Sequence, residues 1–545
     1  MVDILRSNFE EKLPEIKAAL TNAKFIAIDT EFTGLSVYKN YKPSLFDTGR
    51  QRYEKLRRNL EKVIIIQIGL SVFSYVRDEN KYVANIYRIP VYPCSFGSID
   101  SVYLTQASSV HFLCEYDFDF NKVMYEGVPY LNLRDEKRLK QELQECRNVI
   151  DLRNLSFLEE EAIIYLKTEM DKVVDWVSTA CIGDTLLLST FLKARMKRQL
   201  GYCLHIELRH RFNSIWTYGD EEGIIVKKIA TEKHRLMSNK ENKEKLDEDL
   251  IHYLLGFSHI FKLLVELKKP IVGHNCLLDL MLLYQQFHDV LPVSYSSFKK
   301  KMNELFPNLY DTKHISFELQ HRLDRDVLPS TILSDLYAFF EEGRGSVLGA
   351  YTPTVETEFG DDGVTKQIHD AAWDSYVSGY CFIRMAHVIA NKKFEIIVQQ
   401  PLTSVEHFTS LEDFKNKINV IRCAVSHICL SGPDPESRRP QWIYVETRTN
   451  RKLSEDEVYL LFSQYDAVDV TLYSKNSALV AIGNSRSARM IRKKLQENEE
   501  FKVTSYSLLC HNKLLRCVLW ICAASTSMTA AWFITRHAIL RNIKP

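Results

Sequence analysis

The run Val63-Ile64-Ile65-Ile66-Gln67-Ile68-Gly69-Leu70 limits the fold more than any other segment. Read as a strand it is apolar on both faces, and such a strand is buried only at the centre of a sheet covered by helices on both sides. A second β-prone run, Phe25 to Ile28, follows a helix-like stretch in which Ser7 and Glu10 have capping-box spacing. The core is therefore expected to be mixed α/β. At 545 residues the chain outgrows a single core, and roughly two to four domains are expected.

Composition removes several classes. With 46% apolar and 26% charged residues, the chain is neither disordered, nor collagen-like, nor wholly embedded in a membrane. Lys and Arg (71) balance Asp and Glu (70) to a net +1, so any polyanion site must be a local patch. The twelve cysteines include no CxxC pair, the pattern of isolated thiols in a reducing compartment and not of a disulfide framework or zinc knuckle. Asp3, Arg6 and Glu10 interrupt the opening residues, which argues against a cleavable signal. From Cys517 to Thr535 no residue is charged, and Lys513 and Arg516 precede this run while Arg536, Arg541 and Lys544 follow it. At about 1.5 Å per residue it spans roughly 28 Å, enough for a hydrocarbon core. Ser525, Thr526, Ser527 and Thr529 make its middle only mildly apolar, which leaves a buried amphipathic helix as the rival reading.

The expected organisation is a core in two parts, residues 1–157 and 250–400, interrupted at 158–249 by an inserted helical domain inferred from charged stretches such as Lys193 to Arg198 and Lys240 to Asp249. Glu341 to Lys366 reads as a long loop that could cover a site at the helix start beyond it. Residues 438–507 read as βαββαβ, the order of a small RNA-recognition-like domain. Residues 514–535 form the candidate transmembrane anchor.

Four carboxylates and one histidine stand out. Asp29 and Glu31 are two apart on a strand end, so their side chains leave the same face and can share a hard divalent cation. Asp279 lies in an apolar stretch just after Gly273-His274-Asn275, where an unpaired carboxylate is costly to bury. His369 and Asp374 are five apart at a loop-to-helix junction. In that order they make up the inventory for two Mg2+ ions, or Mn2+ in their place, hydrolysing a phosphodiester while His takes the proton of water.

The set Asp29, Glu31, Asp279, His369 and Asp374 resembles the DEDDh exonucleases. The words around it (Ile28-Asp-Thr-Glu-Phe-Thr-Gly34, Gln106-Ala-Ser-Ser-Val-His-Phe112, Phe118-Asp-Phe-Asn-Lys122, Gly127-Val-Pro-Tyr130, Gly273-His-Asn-Cys-Leu-Leu-Asp279 and Asp311-Thr-Lys313) resemble the poly(A)-specific ribonuclease family over roughly residues 1–510. The resemblance implies a ribonuclease H-like DEDD core and a 3′-to-5′ exoribonuclease that releases 5′-nucleoside monophosphates. It implies that Asp29, Glu31 and Asp374 hold the metal that activates water. Asp29 and a water-linked Asp279 would serve the second metal, and His369 would be the general base. Phe32 would either stack on the terminal base or belong to the core.

The family has soluble deadenylases and a membrane-tethered branch that trims the 3′ ends of piRNA precursors. Two departures favour the branch. The Arg-x3-His signature of the deadenylase insert is missing, since Gly201 and Ile206 stand four residues before His205 and His210. Leu472 stands where the deadenylases carry a cap-stacking Trp, and Ala478 to Ile482 has no paired aromatics. By resemblance the substrate is single-stranded RNA, a piRNA precursor, presented by a Tudor-domain adaptor and a PIWI-clade protein, and a homodimer is allowed. The lipid partner would be the mitochondrial outer membrane, with the catalytic domain facing the cytosol, because the span is short and its tail basic. An mRNA deadenylase and a catalytically silent RNA-binding scaffold are the alternatives. The scaffold is disfavoured because all five site residues are present.

Overall fold

The computed structural model describes residues 1–145, 160–189, 197–219, 223–237, 240–322, 328, 330–358, 366–393, 400–449, 451–496 and 498–541. The chain forms two compact units: residues 1–42, 53–420 and 427–434 build the first, and 43–52, 421–426 and 435–545 the second.

The first unit begins with strands β1 (Val2–Asp3), β2 (Phe25–Phe32), β3 (Ile65–Val76) and β4 (Lys81–Pro90). Then come β5 (Thr185–Ser189), β6 (Ile215–Gly219) and β7 (Gly223–Lys228), followed by β8 (Ile271–Gly273), β9 (Leu309–Asp311) and β10 (Thr354–Thr357), and finally the short pair β11 (Lys417–Asn419) and β12 (His427–Cys429). The main sheet has the order β1-β4-β3-β2-β8-β9, with β10 also on β4. The β3 strand runs antiparallel to β2 and β4, whereas β8 lies parallel to β2 and to β9. A five-strand run with one reversed strand in this place is the ribonuclease H-like order. β3 is buried from Ile65 through Phe73, as its two-faced apolar sequence requires.

The long helix Ala371–Lys393 packs across this sheet and is buried on most of its surface. Gly69 on β3 makes that packing feasible. A Cβ there would lie 1.7 Å from the carbonyl oxygen of Ala371 and 2.5 Å from the nitrogen of Ala372, so only glycine lets the first helical turn rest on the sheet. Phe73, further along β3, stacks on Phe25 with ring centroids 4.5 Å apart. The centre of the sheet and the underside of the helix thus share one core.

Several sequence expectations change. The insert is not purely helical: β5, β6 and β7 form a three-stranded antiparallel sheet, order β5-β7-β6, among its helices. Its strands are five or six residues long, and the charge of the flanking stretches masked them. Part of the charged stretch from Lys193 lies outside the described residues. His205, near the missing Arg-x3-His signature, is buried and shares a 2.7 Å hydrogen bond with Thr217. The segment after Glu341 is not one open loop, because residues 354–357 pair in parallel with β4; residues 359–365 lie outside the described residues. The first helix is Phe9–Asn22 with Asn8 at its N-cap, one residue after the expected Ser7.

In the second unit, β13 (Ile443–Thr447), β14 (Val468–Ser474), β15 (Ser477–Ile482) and β16 (Phe501–Ser505) form an antiparallel sheet in the order β14-β15-β13-β16. Helices Glu455–Ser463 and Ser485–Leu495 cover the face carrying Ile443, Val445 and Val480. The strand Ala478 to Ile482 is aromatic-free as read, but the sheet is not short of rings. Tyr444, Tyr473 and Tyr506 cluster with His511 at 4.2–5.8 Å between centroids, and Trp442 lies 5.8 Å from Tyr506. Strand alternation explains the miss: residues 442, 444 and 506 are scattered in sequence, yet each points away from the buried side. The last described element is a helix, Lys513–Arg541, whose apolar stretch from Arg516 to Arg536 has no buried residue.

The packing of Gly69 yields a test. Gly69→Ala forces the helix start off the sheet, an overpacking cost of about 1–3 kcal/mol. A lower denaturation midpoint is expected; an unchanged midpoint would contradict the close approach.

Candidate active site

The site is built at the end of β2, where Asp29 pairs with Gly69 and Glu31 with Gln67 of β3. Alternation sends Asp29 and Glu31 to one face. A register shift follows between Glu31 and Phe32, and Phe32 is half-buried there. From the opposite element comes the turn before Ala371–Lys393. Its backbone is left-handed at His369 (φ +62°), a conformation rare for a side-chain-bearing residue and concentrated at functional sites. The turn is held by short contacts. The N–H of His369 donates to Asp374 Oδ2 at 3.1 Å, and that of Ala371 donates to Gln67 Oε1 at 3.0 Å. Phe112 and Tyr116 bracket the imidazole at 4.7 and 4.3 Å between ring centroids. As a result, ligand atoms of Glu31, His369 and Asp374 all fall within 4.8 Å of one another.

Asp279 is reached differently. It sits in the first turn of helix Leu277–Phe287, buried, and Thr30 Oγ1 donates to its Oδ1 at 2.6 Å. Neither Asp29 nor Asp279 belongs to the Glu31–His369–Asp374 group, yet the charge of Asp279 bears on both Asp29 and Glu31. Behind it, Asp311 is completely buried. Its two oxygens accept the N–H groups of Asn275, Lys313, Cys276, Asn419 and His314 at 2.9–3.4 Å, a structural anchor for the Gly273-His274-Asn275 turn that presents Asp279. Asp370 caps the other helix, its Oδ1 accepting from Ala372 and Trp373 at 3.0 and 3.2 Å, as a first-turn acid should.

The electrostatics follow from crowding. Burial first, then the charges of Asp279, Asp374, Glu31 and Asp370, push the Asp29 carboxyl well above the usual aspartate range. Burial, then Asp374, Asp279 and Asp370, does the same to Glu31. Burial raises Asp374 to about 7, offset in part by the His369 N–H. It raises Asp279 to about 6 despite the Thr30 hydrogen bond. Burial lowers His369, which keeps the imidazole neutral and able to accept a proton at neutral pH. Convergent carboxylates that repel one another, with an imidazole beside them, fit a hard divalent cation, since oxygen donors and positive charge are what relieve such a cluster.

Of the residues expected from sequence, the structure brings Glu31, His369 and Asp374 together, and it adds supports that no pattern marks. Thr30, Gln67 and Asn419 carry no motif signal of their own. Thr30 is the middle residue of Asp29-Thr30-Glu31, and only the fold shows that it faces Asp279.

Residues 4–382 match the CAF1 family ribonuclease model. The chain is 35% identical over 547 residues to the pre-piRNA 3′-exonuclease trimmer of Bombyx mori, covering 98% of each. It is 30% identical over 539 residues to the poly(A)-specific ribonuclease PNLDC1 of Mus musculus, covering 98% of this chain and 99% of that one. With the poly(A)-specific ribonuclease PARN of Homo sapiens it shares 27% identity over 532 residues, 93% of this chain and 80% of that one. The family match spans the strands and helices that supply all five site residues, and the chain belongs to the CAF1 family of ribonucleases.

Proposed function

We propose that this ribonuclease removes nucleotides from the 3′ end of single-stranded RNA and that its substrates are piRNA precursors. The observation that carries the reading is the convergence of Glu31, His369 and Asp374 within 4.8 Å, with Asp29 and Asp279 close enough to bear on their charge. The trimmer of Bombyx mori aligns along nearly the whole chain, which supports the choice of substrate. Leu472 is 43% exposed on the second unit and offers no ring for a cap guanine, which favours trimming over cap-linked deadenylation.

Asp29, Glu31, Asp279 and Asp374 would hold Mg2+ or Mn2+, two ions by resemblance. When bound, these neutralise charge on the phosphodiester and acidify the attacking water. The remaining work falls to the protein. A ring nitrogen of neutral His369 takes the proton from water as its oxygen attacks phosphorus, the bond from phosphorus to the 3′ oxygen breaks, that oxygen takes a proton from solvent to become the 3′-hydroxyl of the shortened strand, and a nucleoside 5′-monophosphate leaves. Phe112 and Tyr116 hold the imidazole in place. Thr30 fixes the orientation of Asp279. Phe32, half-buried beside Glu31, would stack on the terminal base.

The exposed apolar stretch Arg516–Arg536 supports a C-terminal anchor, and we assign it to the mitochondrial outer membrane because the span is short and Arg536, Arg541 and Lys544 follow it. A Tudor-domain adaptor and a PIWI-clade protein are the partners that would present RNA.

Asp29→Ala should cut hydrolysis of single-stranded RNA by at least about a hundredfold, since loss of a residue that merely orients a metal ligand already costs 10–100-fold. Wild-type rates should be equal on capped and uncapped RNA. Activity retained in Asp29→Ala would sink the site, and a cap-dependent rate would favour deadenylation. Deleting residues 514–545 should release an active soluble enzyme from mitochondria. A truncated protein that still sediments with them would refute the anchor.

A further inference from the structure

Asp370 is a fifth acid at the site, adjacent to His369 and buried. Its charge bears on Asp29, Glu31 and Asp374, and it lies at the turn that carries two of the functional groups. Its Oδ1 is committed to the helix cap. Its Oδ2 lies 2.7 Å from Nε of Arg88, an ion pair in which the Nε–H is not aimed at the oxygen. Arg88 comes from β4, opposite Gly69 in the sheet, and is itself mostly buried, at 16% exposure. Its Nη1 donates to Asp3 Oδ1 at 3.1 Å, and the other oxygen of Asp3 accepts from Lys122 at 2.9 Å. A charged chain therefore runs from the sheet edge, Lys122 to Asp3 to Arg88 to Asp370, and ends in the backbone turn between His369 and Asp374.

Nothing in the chemistry of hydrolysis requires this chain, and a buried guanidinium is costly unless its partners are well placed. Its geometry says what it does. Asp374 donates its N–H to the carbonyl of Asp370 at 2.9 Å, and His369 donates to Asp374, so the position of Asp370 sets both neighbours. We propose that Arg88 is a positioning residue of the catalytic centre: it ties the Asp370 turn to the sheet, which holds His369 and Asp374 in register with Glu31, and it cancels the one acid there that serves as a cap. Arginine suits the role because its delocalised charge lies against Asp370 while its Nη1 donates to Asp3, a reach that the point charge of lysine cannot reproduce.

This inference rests on the proposed reading of the site, and the test separates the two. Full-length protein in detergent is compared as wild type, Arg88→Met, Arg88→Lys and the double variant Arg88→Met/Asp370→Asn, below every unfolding midpoint. The readouts are kcat and KM on single-stranded RNA and Mn2+ affinity by calorimetry. Arg88→Met should lose about 10–100-fold in kcat, with KM for RNA within about twofold and Mn2+ affinity weakened about tenfold. Arg88→Lys should show the same split in milder form, and it carries the test if the Met variant does not fold. The double variant should regain part of the loss, because Asn keeps the cap and no charge is stranded. Wild-type kcat and Mn2+ affinity in a folded Arg88→Met protein would overturn the proposal, as would a double variant no better than the single one. A wild-type protein that binds Mn2+ but leaves RNA intact would fail the functional reading, while the Mn2+ arm would still decide the role of Arg88.

Discussion

Mutual repulsion among half-buried carboxylates is the constraint on which the rest of the structure turns. Two unit charges near 5 Å apart repel by roughly 3 kcal/mol at the effective dielectric of a protein site, before solvent screening. Glu31 and Asp374 are that close, and Asp29 and Asp279 add to the same field. No chain keeps such a cluster for stability. It persists because the fold around it is over-determined, and because a hard cation converts the repulsion into binding energy.

The architecture can be read as the means of enforcing that convergence. The two-faced strand β3 anchors the sheet, and Gly69 removes the one side chain that would hold the long helix away from it. Gln67, two residues earlier, accepts the N–H of Ala371, so one strand supplies both the space and the hydrogen bond for the helix start. On the other flank, Asp311 gathers five backbone N–H groups and fixes the turn before Asp279. Thr30 then reaches across β2 to set that carboxylate. Each functional group is thus placed by backbone geometry first and by a single polar contact second.

How much of this was legible in the sequence depended on whether the signal was local. Asp29-Thr30-Glu31 on a strand end, Asp279 after Gly273-His274-Asn275, and the His369–Asp374 spacing are short-range patterns with chemical meaning, and they carry the expectation of the site. The βαββαβ order of residues 443–505 was equally legible, because each element carries its own periodicity. The supports were not. Arg88 lies 282 positions from Asp370 in numbering, and nothing near either residue marks the pairing. The three-stranded sheet of the insert escaped because its short strands sit among charged helices. The ring cluster around Tyr444, Tyr473 and Tyr506 escaped because it is made by strand pairing and not by adjacency.

The carboxylate cluster is a destabilising element held in readiness for a cation. A carboxyl raised in the folded state binds its proton more tightly there than in the unfolded chain. Its protonation therefore favours folding at low pH, and that contribution is lost as pH rises from about 4 through the folded values near 6 for Asp279 and 7 for Asp374. The most direct measurement is the thermal midpoint of wild type and Asp29→Asn in detergent, at pH 5 and pH 8, with and without Mg2+. The metal-free wild type should lose stability relative to Asp29→Asn between pH 5 and pH 8. Mg2+ should restore it at pH 8, have little effect at pH 5, and leave Asp29→Asn nearly unmoved. Equal pH dependence in the two proteins, with no Mg2+ response in the wild type, would contradict the account.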